Sequence, residues 1–207
     1  MEETKLFLIT YFAALLGVVP PGLVNMSVAK TCVQKGKRNG MYFASGASFI
    51  VLIQAFIAIL LAKYIFNNPY VHNILLRTGL VIFILMAVYF FVMAQRKKKE
   101  VKVEDTTGMR SIIKGMAVSA LNVFPIPYFC ALGAALNVSG KVDYHNIQIL
   151  LFVIAASLGT FSTLYLYVMF FIRIEEKATY FSRYSNYFMA ILMLVLVVIT
   201  LFRIFYG

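Results

Sequence analysis

Charged residues are scarce in this sequence of 207 residues: they make up 13% of it, whereas hydrophobic residues make up 62%. A soluble domain is about one quarter charged and about half apolar, so the composition excludes an ordinary soluble domain. The apolar residues form uninterrupted runs, and a helix needs about 20 such residues to cross a hydrocarbon core of about 30 Å. We therefore predict an all-α integral membrane protein.

Cysteine and histidine are also rare, with two of each. Cys32 and Cys130 lack the paired spacing of a disulfide framework or of a redox or zinc motif, and His72 and His145 lie in polar connecting segments. The sequence contains no phosphate-binding loop and no hydrolase motif. We predict a protein that is not an enzyme and that needs no metal and no cofactor.

Six apolar runs are candidate transmembrane helices. They extend from Leu6 to Ala29, Gly40 to Ala62, Ile74 to Ala94, Gly115 to Leu136, Ile147 to Ile172 and Tyr187 to Phe205. A basic polar hinge at 95–114 divides this single transmembrane domain, residues 1–207, into halves of about 1–95 and 110–207. Because three spans per half insert the two halves in opposite orientations, we predict two inverted three-helix repeats.

The net charge of +11 raises the question of a nucleic-acid partner. The basic residues are spread over three connections without interleaved aromatic platforms, which argues against nucleic-acid binding. Membrane topology and the anionic head groups of the lipid bilayer account for them better.

Proline interrupts two corresponding spans, with Pro20-Pro21-Gly22 in the first and Pro125-Ile126-Pro127 in the fourth. Proline removes a helical N–H and clashes with the carbonyl four residues earlier. Such breaks survive in a membrane where protein covers them or where they line a wet cavity. Each break creates half-helix ends of opposite dipole, which match the carboxylate and the ammonium of an amino acid.

Amide side chains lie beside both breaks, and such side chains are costly in a membrane unless they face the interior. We predict that the substrate is bound by Pro21, Gly22, Asn25, Asn122, Pro125 and Gln54. The residues of the two breaks are expected to converge near the bilayer midplane. The alternative is that the amides only join helix to helix and that the kinks only shape the packing.

The stretch from Val18 through Pro21-Gly22 to Asn25, its basic turn up to Gly40, and the segment from Gly115 through Asn122 to Pro125 resemble the LysE-type amino-acid exporters, also called the RhtB family. The resemblance covers the six-helix plan and the whole length. It implies a secondary transporter that exports amino acids or similar small metabolites across the inner membrane, with coupling to the proton motive force.

All eight acidic residues lie outside the six predicted spans. A lysine-like substrate would bring a second ammonium into the membrane without a carboxylate to compensate it, so we expect neutral amino acids as substrates. A membrane scaffold without a transport cycle is the alternative, and a metal-cation exporter ranks third because ligand clusters are missing. Assembly into a homo-oligomer stays open.

We predict that both termini lie on the external side of the cell membrane, opposite the cytoplasm. The connections after spans one, three and five carry four, seven and three Lys and Arg residues, so fourteen of the nineteen lie on one side. Basic residues near span ends are retained in the cytoplasm, and the acidic Glu2 and Glu3 argue against a cleaved signal peptide. A reporter that is active only in the cytoplasm should be silent at the C-terminus; activity there would contradict the topology.

Overall fold

A computed structural model describes residues 2–20, 22–66, 108–138 and 143–170, with single helical residues within 81–95 and 187–202. The described residues form helices and connections, and no strand occurs among them. The chain divides into two compact units: Met1–Tyr64 with Val103–Glu176, and Ile65–Lys102 with Lys177–Gly207. In the second unit the rings of Phe91 and Tyr187 pack edge to face, with centroids 6.1 Å apart.

Five helices are described over their whole length, all but the last few residues of the second within the first unit. They are α1 (Glu2–Val18), α2 (Leu23–Phe66), α3 (Gly108–Leu121), α4 (Pro125–Val138) and α5 (Asn146–Met169). A helix satisfies its backbone groups internally, which is what an apolar surrounding requires. Their ends therefore mark the places where the backbone needs other partners.

The predicted boundary between the first two spans, at 30–39, contains a kink in the structure. The first helix ends at Val18, and α2 after the proline break consists of two helical segments that meet at Gly36. Gly36 has φ 81° and ψ 163°, a conformation that glycine adopts readily. The chain thus departs from helical geometry at the prolines and again at the glycine of the basic connection.

The predicted fourth span forms α3 and α4, which meet at an angle of 66°. Among the described residues, two helical segments are long and apolar enough to cross a membrane, 23–65 and 146–169, and the bent pair makes a third if it forms one span. The fifth predicted span, Ile147 to Ile172, matches α5. The third and sixth predicted spans lie largely outside the described residues.

Helices α1 and α5 run parallel to each other. The hydroxyls of Tyr11 and Ser162 are 2.8 Å apart, and the Tyr167 hydroxyl donates to the Val19 carbonyl at 2.8 Å. Between these contacts, the Thr163 hydroxyl donates to the carbonyl of Leu15 at 2.7 Å. Residue numbers increase together along both helices, which fixes their common direction.

Helices α3 and α2 form a second parallel pair, while α2 and α5 are antiparallel. The Ser111 hydroxyl donates to the Asn39 side chain at 3.3 Å, and farther along both helices the Gln54 amide donates to the Ser119 carbonyl at 3.2 Å. Between α2 and α5, the Ser157 hydroxyl donates to the Ser48 carbonyl at 2.9 Å. The first helix of each half thus lies against the long helix of the other half.

Two clusters of buried apolar residues lie at opposite ends of the α2–α5 pair. One contains Val51, Ala55, Ala58, Ile59, Phe129, Phe152 and Ala156 among others. The other contains Val24, Val28, Cys32, Phe43, Ala44, Leu164 and Val168 among others. Each cluster includes the short helical segment that follows one of the two breaks, so each break is adjacent to a different apolar cluster.

Glycines bring the paired helices into backbone contact. A Cβ at Gly46 would overlap the carbonyl of Ile112, and one at Gly115 would overlap the carbonyl of Phe43. In the other pair, a Cβ at Gly159 would overlap the carbonyl of Tyr11. Close approach through small residues is a common way for membrane helices to associate.

Replacement of Gly46 by alanine should destabilise the protein by about 1–3 kcal/mol, because the added methyl meets a backbone carbonyl that cannot move aside. The matched change is Ser45→Ala, at the exposed neighbouring position, whose hydroxyl bonds only within its own helix. Thermal unfolding in detergent should give a lower melting temperature for Gly46→Ala alone. Equal melting temperatures for the two variants would contradict the close contact.

Candidate functional site

The first break lies between Val18 and Leu23, and polar side chains donate hydrogen bonds to its carbonyl groups. The side-chain amide of Asn25 donates to the carbonyls of Val18 and Pro20, the latter at 3.0 Å. The Tyr167 hydroxyl donates to the carbonyl of Val19 between them. Three successive carbonyls at the end of α1 are therefore hydrogen-bonded by two buried side chains.

The second break lies between Leu121 and Pro125. The amide nitrogen of Gln54 donates to the carbonyl of Asn122 at 2.8 Å and to that of Ser119 at 3.2 Å. The Asn122 backbone N–H also donates to the Ser119 carbonyl, at 3.0 Å. Gln54 is 5% exposed and Ser119 is fully buried.

The two breaks are held in the same manner. At each one, a polar side chain on a long helix of the other half donates to the first carbonyl beyond the broken helix: Tyr167 to Val19, and Gln54 to Asn122. An unpaired carbonyl in an apolar interior costs free energy. The side chain from the other half removes that cost at both breaks.

The predicted site residues lie in two groups, one at each break. Asn25 contacts the first break, near the end of α5 where Val168 packs on Gly40. Asn122 contacts the second break at Gln54. Gly40 and Gln54 are about 21 Å apart along α2, at 1.5 Å per residue. Convergence of the two breaks near the bilayer midplane stays a prediction, and Tyr128, just after the second break, contacts Ala13 and Gly17 just before the first.

The other predicted residues lie beside these contacts. Gly22 is exposed and accepts a hydrogen bond from the Met26 N–H at 3.0 Å. Pro125 is half-buried and begins α4. Pro21 lies outside the described residues. Whether any of the six binds substrate stays a prediction.

Tyr167 and Tyr128 were missed by the sequence reasoning, and Ser119 was not among the six predicted site residues. Tyr167 contacts the first break and Ser119 the second, and the Tyr128 hydroxyl donates to the Ala13 carbonyl of α1 at 2.7 Å. The ring of Tyr128 lies against Gly17, where a Cβ would be 2.7 Å from its Cζ. The only signal in the sequence is that both tyrosines lie well inside predicted spans, where head groups cannot anchor them.

The LysE type translocator family matches residues 15–202, which include both breaks and all five helices apart from most of α1. The chain belongs to the LysE type translocator family. No curated protein and no solved structure matches it. Membership identifies a membrane transporter of amino acids or similar solutes.

In this LysE-type translocator the polar groups of the described interior are neutral. Asn25 and Gln54 are buried amides, and Thr163 and Ser119 are buried hydroxyls. No three His, Cys, Asp or Glu side chains come together in the part of the chain that the structure describes. The described interior therefore offers hydrogen-bonding groups and helix dipoles and no charged side chains.

Substitution of Tyr167 by phenylalanine should loosen the first break of the translocator. Loss of the hydroxyl leaves the Val19 carbonyl without its donor, at a cost of about 1 kcal/mol. Amide hydrogen exchange around residues 19–27 should become about fivefold faster. Tyr165→Phe, two residues earlier on the exposed face of α5, serves as the control. Unchanged exchange in Tyr167→Phe would contradict the role of this hydrogen bond.

Proposed function

We propose that this translocator exports neutral amino acids across the inner membrane as a secondary transporter built from two inverted three-helix repeats. The observation that carries the proposal is that two helices are broken inside an apolar protein, each held by polar side chains from the other half. Discontinuous helices of this kind form the solute sites of many secondary transporters. The neutral interior and the family membership support the same conclusion.

The positions of matched contacts support the inverted repeat. Gly46 and Gly159, which both face a carbonyl of the partner helix, are 113 positions apart, and so are Gln54 and Tyr167. Their acceptors at the breaks, Val19 and Asn122, are 103 positions apart. The antiparallel course of α2 and α5 is the arrangement that inversion requires.

The absence of acidic residues from the predicted spans supports a neutral substrate. An uncompensated charge in the membrane costs at least about 2.5 kcal/mol, and the second ammonium of lysine would carry that cost. A neutral side chain carries none. The α-ammonium and α-carboxylate need only the half-helix ends that the breaks supply.

The predicted binding residues act in two groups in this proposal. Pro21, Gly22 and Asn25 form one station, and Gln54, Asn122 and Pro125 form the other. Two stations related by inversion suit a cycle in which the solute is met first from one side of the membrane and then from the other.

Transport in proteoliposomes tests the substrate class. The purified protein, with a proton gradient imposed, should move labelled leucine, threonine or homoserine. Lysine and arginine should be transported at least about 70-fold less efficiently, which corresponds to 2.5 kcal/mol. Preference for lysine or arginine would contradict the charge argument, and absence of movement for every amino acid would contradict export.

Replacement of Asn25 by alanine in the same assay should abolish most of the transport, because two carbonyls at the first break lose their donor. Asn146→Ala removes the same amide from the exposed start of α5 and should transport as the unmodified protein does. Equal transport by the two variants would remove Asn25 from the site.

A further inference from the structure

Two buried polar atoms at the second break have no hydrogen-bond partner among the described residues: the Gln54 carbonyl oxygen Oε1 and the Ser119 hydroxyl oxygen Oγ. Their residues are joined by the hydrogen bond from Gln54 Nε2 to the Ser119 carbonyl, so both atoms lie in one small region. An unpaired buried polar atom costs about 1–3 kcal/mol, and Gln54 is 5% exposed while Ser119 is not exposed at all.

The polarity of this region favours a hydrogen-bond donor. Gln54 Oε1 is an acceptor only, and a hydroxyl also accepts. Ser119 lies in the last turn of α3, where the helix dipole is negative. Both features attract a group that carries N–H bonds and positive charge.

The start of α4 adds no donor that would serve an anion. Pro125 and Pro127 carry no N–H. The N–H of Ile126 donates to the Val123 carbonyl and that of Tyr128 to the Phe124 carbonyl, each at 3.3 Å. The first four residues of α4 thus offer no free backbone donor, although a helix N-terminus ordinarily does.

The first break differs in this respect. Asn25 and Tyr167 already donate to its carbonyls, and neither side chain has a buried polar atom without a partner. The helix that follows begins with Leu23 and Val24, which retain their N–H groups. Among the polar side chains that hold the two breaks, the buried acceptors without a partner are therefore at the second break.

We propose that Gln54 and Ser119 bind the amino group of the transported solute, with Gln54 Oε1 and Ser119 Oγ as its acceptors. A primary ammonium has three N–H donors and no acceptor, so it satisfies both atoms and leaves one donor for a further carbonyl. This assignment rests on the proposed function as an amino-acid transporter. It adds Ser119 to the site and gives Gln54 a second role beside holding the Asn122 carbonyl.

Binding of a matched pair of ligands to the full-length protein tests the assignment. Isothermal titration in nanodiscs compares an amino acid that the unmodified protein transports with the carboxylic acid that lacks only its amino group. The unmodified protein should bind the amino acid at least about tenfold more tightly, since each hydrogen bond to a charged group contributes about that factor.

Ser119→Ala should reduce this preference by about tenfold while leaving the affinity for the deaminated acid unchanged. Ser111→Ala is the matched control, because Ser111 is buried on the same helix and its hydroxyl bonds the Asn39 side chain. Gln54→Met, which keeps the volume and removes the acceptor, should act in the same direction as Ser119→Ala. Thermal unfolding of each variant shows whether it is folded.

Several results would overturn the assignment. If Ser119→Ala and Gln54→Met weakened the binding of both ligands equally, these residues would only support the structure. If neither variant altered the preference for the amino acid, the two atoms would only bind a buried water molecule. An unmodified protein that binds both ligands equally also contradicts it. Failure of the unmodified protein to transport any amino acid contradicts the proposed function itself, which the proteoliposome assay measures separately.

Discussion

A backbone carbonyl in an apolar interior must find a donor, and this requirement organises the described structure. Proline breaks interrupt two helices, and the carbonyls at their ends cannot be paired within the same helix. Tyr167 and Gln54 supply the donors from long helices of the opposite half. Neither broken helix is complete without the other half of the chain, so the two halves must fold against each other.

The close packing of the parallel pairs follows from this requirement. A short side chain such as that of Thr163 reaches a carbonyl on the neighbouring helix only when the two backbones are near each other. Gly46, Gly115 and Gly159 permit that approach, because any side chain there would meet a carbonyl oxygen. Each hydrogen bond contributes about 1 kcal/mol, whereas an unpaired buried group costs about 1–3 kcal/mol.

The breaks could be predicted from the sequence because proline acts locally: it removes an N–H whatever the rest of the chain does. The burial of Asn25 was predicted for a similarly general reason, the cost of an amide in lipid, whereas Asn122, for which the same was predicted, is half-buried. The connection predicted at 30–39 contains the kink at Gly36, but its length was overestimated, because helical residues flank the kink on both sides and basic residues are good helix formers.

The partners of the breaks and their separation could not be read from the sequence. A tyrosine inside a span gives no indication of which carbonyl its hydroxyl will meet, since that depends on the register between helices from different halves. The same register places Tyr167 beside the first break and Gln54 beside the second. Pairing between halves is a property of the tertiary structure and leaves no local pattern.

The glycine contacts also determine how the first unit is able to move. Backbones that touch at Gly159, and likewise at Gly46 and Gly115, leave no room for sliding within a parallel pair. Each pair is therefore a rigid body assembled from both halves of the chain, and the hydrogen bond from Ser157 to Ser48 lies at the joint between the two bodies. The chain passes from one body to the other through the first break, and from α3 to α4 through the second. In the proposed transport cycle, rotation at the breaks would change the partners of the same polar side chains that we propose to contact the solute.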